Sequence, residues 1–288
     1  LGAQAGLPPG VFNVITGQAS EIGQTLTSSS TVRKISFTGS TEVGRILMRQ
    51  SAEHIQKISL ELGGNAPFIV FDDADLEAAV QGAMVAKMRH SAETCTAANR
   101  FFVHEAVADE FTRMFAAALS DVRIGNGLDD GVTCGPMINA KAVTSINELV
   151  TAAADHGATI ATGGGAVDGP GHFYPATVLG NVRSGDEITR HEIFGPVAPV
   201  ITFDDTEQMI ADANDTEMGL TGYVYTRDLG RGLAVSERIQ AGMIGLNRGA
   251  VSDPAAPFGG MKQSGLGREG AGEGIYEFCE TQYIATDW

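Results

Sequence analysis

One cysteine in this chain sits where a thiol could react. Cys95 lies in the polar link Ser91-Ala92-Glu93-Thr94-Cys95-Thr96-Ala97-Ala98-Asn99, between a helical pattern and a strand pattern. Nucleophilic sulfur requires a thiolate, and so a nearby base, positive charge or helix end. Glu61 stands 34 positions upstream, in Leu60-Glu61-Leu62-Gly63-Gly64. A carboxylate at a strand end, raised in pKa by partial burial, can activate water as a general base. Downstream, Glu192-Ile193-Phe194-Gly195-Pro196 supplies another acidic group. The three stretches together read as a nucleophile, a base and a clamp for a bound cofactor. Taken singly, Cys95 is equally an inert buried thiol, and Glu61 a solvated strand-end glutamate. Cys134 and Cys279 lack such a setting and read as structural.

The elements that must position these groups alternate. Val32 to Phe37 reads as a strand, and Thr38-Gly39-Ser40 breaks it. A helix then runs to about Gln50, with Ser40 or Thr41 as its N-cap. Strand, Gly/Ser turn and helix start form an anion-binding arrangement, although a plain turn reads the same way. Strands follow at 57–62 and 66–71. Asp72 to Asp75 cap a helix whose apolar face carries Leu76, Ala79, Val80, Ala83, Met84 and, unexpectedly, Lys87. Beyond Cys95 the pattern predicts a strand at 100–103, a helix at 105–120 and a helix at 140–155. Strands are expected at 158–162 and 173–179, with a Gly-rich turn at 163–171 between them. Strand 197–203, helix 206–213, strand 222–226, helix 229–239 and strand 242–247 come next. A long Gly-rich loop (248–275) precedes a final strand at 278–285. This alternation argues an α/β fold with mostly parallel sheets.

Composition narrows the function classes. The chain has 288 residues and a net charge of −16, which argues against a phosphate-binding nucleic-acid surface. No apolar run reaches membrane-spanning length. Three widely spaced cysteines suggest a reducing compartment, so a cytoplasmic location is expected. The six histidines show no metal-ligand spacing, and no bound metal is expected. The chain opens at Leu1 on what resembles the end of a helix, and residue 1 reads as an interior position of a longer protein.

Five motifs now combine. Phe37-Thr38-Gly39-Ser40-Thr41-Glu42-Val43-Gly44, Glu61-Leu62-Gly63-Gly64-Asn65, Cys95, Glu192-Ile193-Phe194-Gly195-Pro196 and Pro257-Phe258-Gly259-Gly260 occur in the order and spacing of the aldehyde dehydrogenase superfamily. The chain resembles that family from first residue to last but lacks a large N-terminal part. The resemblance implies that Cys95 attacks an aldehyde carbon, that hydride leaves to NAD or NADP, and that Glu61 activates the water that hydrolyses the thioester. It makes the Cys95 N–H half of an oxyanion hole. It makes Gly39 and Ser40 pyrophosphate contacts, Glu192 the nicotinamide-ribose ligand, Phe194 a neighbour of that ring and Leu62 a residue near the nicotinamide. Phe258 and Asn247 match positions near the substrate pocket.

Within the family the chain is most similar to succinate-semialdehyde dehydrogenases, through Asn247 to Phe258 and Lys262 to Gly270. Arg89 and Ser252 match that group's carboxylate-binding positions, and a substrate carboxylate does want a cation and a hydroxyl. Alone, Arg89 would read as a surface arginine at a helix end. The resemblance implies an aldehyde dehydrogenase-like fold. A partial Rossmann-like cofactor domain is expected at 1–62 and an α/β catalytic domain at 63–262. A C-terminal segment at 263–288 would carry an oligomerisation strand, giving a homodimer or homotetramer. Alternatives are another substrate, such as glutarate semialdehyde or an uncharged aldehyde, and an inactive fragment that needs its missing part. Ala92-Glu93 and His90 depart from the family's usual Gly-Gln and Asn. Ala97 stands where several relatives have a second cysteine. An added carboxylate at 93 would raise the Cys95 pKa.

Overall fold

The structure is a computed structural model that describes residues 1–167 and 169–288. The elements, in chain order, begin with α1 (Ala19–Thr27), β1 (Lys34–Thr38), α2 (Thr41–Ser51), β2 (Lys57–Glu61) and β3 (Ala66–Val70). Next come α3 (Leu76–Met88), β4 (Ala98–His104), α4 (Glu105–Ser120), α5 (Ala140–Asp155), β5 (Thr159–Thr162) and β6 (Thr177–Gly180). They are followed by α6 (Glu187–Arg190), β7 (Val197–Phe203), α7 (Thr206–Asn214), β8 (Met218–Gly219) and β9 (Thr221–Tyr225). The last are α8 (Leu229–Arg238), β10 (Met243–Leu246), β11 (Met261–Lys262), β12 (Gly265–Leu266) and α9 (Glu273–Tyr276).

Helix starts are set by short polar side chains that take up free first-turn amides. Ser40 accepts from Val43 N–H, Asp75 from Ala78 N–H, Asn139 from Ala142 N–H and Asp228 from Arg231 N–H. Of the two N-caps expected for α2, Ser40 is the one used.

Seven strands form the larger sheet, in the order β10-β9-β3-β4-β7-β6-β5. All its neighbours run parallel except β5 and β6. Its central strands are buried on both faces, which is why β3 and β4 read as nearly continuous apolar runs. Phe68 and Val70 of β3 enter the core under α3 and α4, while Ile69 enters the core under α5, α7 and α8. In the smaller sheet, β1 and β2 pair in parallel and β12 pairs antiparallel to β2. The two sheets are joined by only four residues, Leu62 to Asn65. The C-terminal ends of β1 and β2 therefore face the N-terminal ends of β3 and β4.

Four expectations need correction. Residues 278–285 form no strand here; they run on from α9 as exposed chain, held at its start, where the Phe278 and Cys279 N–H groups donate to the Ile275 and Tyr276 carbonyls. A strand exists only with a neighbour to accept its hydrogen bonds, and this tail has no neighbouring strand among the described residues. Part of the supposed loop 248–275 is ordered by pairing: β11 lies on β8 and β12 on β2. Gly265 permits the latter, because at φ +142 a side chain there would overlap the Leu60 carbonyl. Finally, Cys134 is buried as expected, but Cys279 is exposed. The strand expected at 173–179 is shortened to β6, and the Gly-rich turn before it includes residue 168, which lies outside the described residues.

Candidate active site

A cavity of about 510 Å³ opens where the two sheets meet. Its walls include Gly39, Ser40, Glu61, Leu62, Cys95, Glu192 and Phe194. These seven residues come from four separate stretches of sequence. Arg89, Ser252 and Phe258 do not line this cavity. Arg89 Nη1 lies 3.5 Å from Ser252 Oγ, both exposed. Phe258 is half-buried and pairs its backbone with Glu269, at 2.7 Å in both directions.

Cys95 sits on a strained loop. His90, Ser91 and Ala92 are three successive residues in the left-handed region, at φ 51°, 57° and 66°. Each such non-glycine residue costs on the order of 1 kcal/mol, and Ala92 stands where the family pattern has glycine. The surroundings hold the loop in place. Gly135 N–H donates to Ser91 Oγ, Ile138 N–H to Glu93 Oε1, and Tyr223 O–H to the Thr96 carbonyl. The Glu93 carboxylate is thus engaged with the 134–138 loop. What raises the Cys95 pKa is burial first, then the charges of Glu192 and Glu61. The resting group is a thiol that needs a base.

Glu61 lines the same cavity. It is 5 % exposed, and its Oε2 is buried with no hydrogen-bond partner among the described residues. Burial, then the Glu269 charge, pushes its carboxyl up to about 7, against the opposing pull of Arg268. A carboxylate oxygen without a protein partner, on a residue that lines the cavity, can take a proton from a thiol or from water. Its backbone carbonyl accepts from Gly39 N–H at 3.0 Å, which ties the end of β2 to the anion-binding turn.

Glu192 is set from the opposite wall. One carboxylate oxygen, Oε1, accepts from Gly64 N–H at 2.8 Å. A Cβ on Gly63 would stand 2.7 Å from the other oxygen, so only glycine leaves that oxygen clear. Burial raises the Glu192 pKa, opposed by the Gly64 hydrogen bond and the Lys87 charge. The segment carrying Glu192 is pinned by a buried polar cluster. Asn99 Nδ2 donates to the His191 carbonyl and to Asn65 Oδ1, Asn99 Oδ1 accepts from Ile193 N–H, and Asn65 Nδ2 donates to the Thr189 carbonyl. Arg100 completes it through four bonds to the Asn65, Asp212 and Ala213 carbonyls.

The residues present fit a dinucleotide cofactor. The N-terminus of α2 opens beside the cavity, and its first-turn amides have no intrahelical acceptor, as an anionic pyrophosphate requires. Glu192 keeps one carboxylate oxygen for a ribose hydroxyl. One residue back along β1, an apolar cavity of about 710 Å³ lies between α1 and α2, lined among others by Ile22, Leu26, Val43, Ile46 and Leu47. Its walls suit a flat, uncharged ring. Sequence reading missed it, although the exposed Val43 and Ile46 on α2 were its signal. Lys87 was visible as a lysine on an apolar face. It is fully buried, its Nζ has no partner, and burial pulls it down to about 7 despite the Glu192 charge.

The profile of the aldehyde dehydrogenase family matches residues 1–284. The chain belongs to the aldehyde dehydrogenase family. Among its relatives is a succinate-semialdehyde dehydrogenase of Paenarthrobacter nicotinovorans, 56% identical, with 98% of this chain and 63% of the relative covered. A glutarate-semialdehyde dehydrogenase of Pseudomonas aeruginosa is 50% identical over 99% of this chain and 59% of its own length. The crystal structure of an E. coli NADP-dependent enzyme superposes with a TM-score of 0.96 at 50% identity, covering 98% of this chain and 59% of that one. The aldehyde dehydrogenase fold is therefore established, and the chain spans about three fifths of the length of these relatives. Among the described residues, no helix is long and apolar enough to cross a membrane.

Proposed function

We propose that the protein containing this chain oxidises an aldehyde to a carboxylic acid with NAD or NADP, through a covalent intermediate on Cys95, and that its aldehyde carries a second, carboxylate end, as succinic semialdehyde does. The observation that carries this reading is the convergence of Cys95, Glu61 and Glu192 on one cavity beside the α2 N-terminus. In this reading Glu61 takes the Cys95 thiol proton, and the sulfur adds to the aldehyde carbon to form a thiohemiacetal. The Cys95 N–H donates to the developing oxyanion. The nicotinamide cofactor, when bound, accepts the hydride. Glu61 passes the thiol proton to solvent and, ionised again, deprotonates a water that attacks the thioester; the acid leaves and the Cys95 thiolate takes up the proton from Glu61. Gly39 and Ser40 hold the pyrophosphate, Glu192 the ribose, and Leu62 and Phe194 flank the nicotinamide. Residues 1–62 belong to the cofactor domain, residues 63–262 form the catalytic domain, and residues 263–288 close the site.

The Arg89–Ser252 pair supports a carboxylate-bearing substrate, since a guanidinium and a hydroxyl side by side suit one carboxylate. Phe258 is a third substrate contact in this reading. The test is Arg89→Ala in the full-length protein. Its kcat/KM should fall at least tenfold more for succinic semialdehyde than for butanal. Equal losses would leave an aldehyde dehydrogenase of different specificity. The tail at 278–285, with Phe278, Tyr283 and Ile284 exposed, supports a homodimer or homotetramer in which it pairs with a neighbouring subunit. A cytoplasmic location rests on the cysteine usage. A second reading follows from the chain's three-fifths coverage of its relatives. In that reading these 288 residues alone are inactive and gain activity only with the remaining segment.

A further inference from the structure

The loop that carries Ser252 is held against α3 by glycine at two places. It leaves β10 at Asn247, which adopts φ 52°. Asn247 does not turn its side chain to a pocket. Its amide instead brackets Thr226, donating to the Thr226 carbonyl at 2.9 Å and accepting from Thr226 N–H at 3.1 Å. Two residues on, Gly249 lies against the backbone of Gly82 in the middle of α3. A Cβ on Gly249 would overlap the Gly82 carbonyl oxygen and come within 2.8 Å of its carbon and α-carbon. A Cβ on Gly82 would overlap the Tyr225 hydroxyl. Val251 then packs against the apolar core under α3 and α4. The next residue is Ser252, 3.5 Å from Arg89 at the end of that same helix. Loop and helix thus meet without side chains between them, about two turns before the arginine.

We infer that the Gly82–Gly249 backbone contact is a specificity-setting device, which fixes Ser252 opposite Arg89 and so selects aldehydes with a carboxylate at the far end. This rests on the proposed roles of Arg89 and Ser252. Neither glycine has a positive φ, so alanine is allowed by the backbone at both positions and only the contact forbids it. Alanine at 249 stands roughly 1 Å short of ordinary van der Waals distance from atoms of the α3 backbone. The loop, which is exposed at Ser252, gives way before the helix does. A misplacement of that size can cost up to about 100-fold where two groups must grip one substrate.

The experiment uses the full-length protein and measures kcat/KM for succinic semialdehyde and for butanal on the same preparations. Butanal reports the integrity of the nucleophile site, which the loop does not touch. In Gly249→Ala the ratio of the two constants should fall about tenfold or more, mainly through a higher KM for the semialdehyde. In an Arg89→Ala background Gly249→Ala should change that ratio less than about twofold, because the pair it aligns is already broken. If Gly249→Ala does not fold, Val251→Ala loosens the same loop more gently and should lower the ratio in the same direction. A ratio unchanged in the loop variant, while Arg89→Ala lowers it, overturns the inference and leaves the carboxylate site standing. A ratio unchanged in Arg89→Ala removes the carboxylate site and this inference together. Proportional losses on both substrates in Gly249→Ala would make the contact merely structural and also overturn it.

Discussion

Glu192 Oε1 accepts a hydrogen bond from Gly64 N–H at 2.8 Å across 128 residues of chain. Gly64 is also the residue whose missing side chain makes room for the carbonyl of Cys95. One glycine therefore spaces Cys95 and Glu192. Gly64→Ala should push the Cys95 turn outward, since the atom in its way is backbone. The expected result is a fall in kcat on the order of 10²-fold with a destabilisation of about 1–3 kcal/mol. Steady-state kinetics and urea denaturation check the two together.

The Asn99 cluster makes a separate claim. Asn99 is 3 % exposed and bonds Asn65, His191 and Ile193 on both sides of Glu192. Asn99→Ala strands these partners in the interior, at about 1–3 kcal/mol for each unsatisfied group. The loop 189–193 loses its register, so the KM for NAD or NADP should rise more than the KM for aldehyde. Cofactor titration by fluorescence, followed beside thermal unfolding, would expose a purely structural effect as loss of stability with unchanged cofactor affinity.

Much of this was legible in the sequence. Helix α4 has the bounds expected from its apolar spacing, and β3 and β4 were visible because buried parallel strands are apolar on both faces. Cys95, Glu61 and Glu192 stood out by their polar or Gly-rich settings, and the structure brings them to one cavity. What escaped depends on contacts distant in sequence. β11 and β12 are two residues each and exist only through β8 and β2. The Glu269 charge that helps raise Glu61 lies 208 positions away and in no local pattern marks itself as a neighbour. The tail at 278–285 has strand-like residues but no partner strand among the described residues, and alternation alone does not supply one.

The pH dependence of activity should carry the Glu61 signature. Only the ionised carboxylate can accept a proton from thiol or water, so kcat/KM should rise with pH through a midpoint near 7. Glu61→Gln should remove that limb and lower kcat by about 10²–10⁴-fold. Stability moves in the opposite sense. The folded protein holds the Glu61 proton more tightly than the unfolded chain, whose pKa is 4.5. The penalty for ionising it is thus absent well below 4.5, grows between 4.5 and about 7, and is complete above that. Glu61→Gln should be more stable than the parent above pH 7, by up to about 3 kcal/mol, and indistinguishable from it below pH 4. Urea midpoints at the two pH values measure the difference.

The most direct test is single-turnover reduction of NAD or NADP by the full-length protein with succinic semialdehyde, run beside Cys95→Ala and Glu61→Gln. Measured above pH 7 with the thiol's proton passed to buffer, Glu61→Gln should give a burst of one reduced cofactor per site and then stall, because the thioester forms and its hydrolysis fails. Cys95→Ala should give no burst. Turnover that survives Cys95→Ala would contradict the account at its centre, since the loop held between α3 and β4 would then carry no nucleophile.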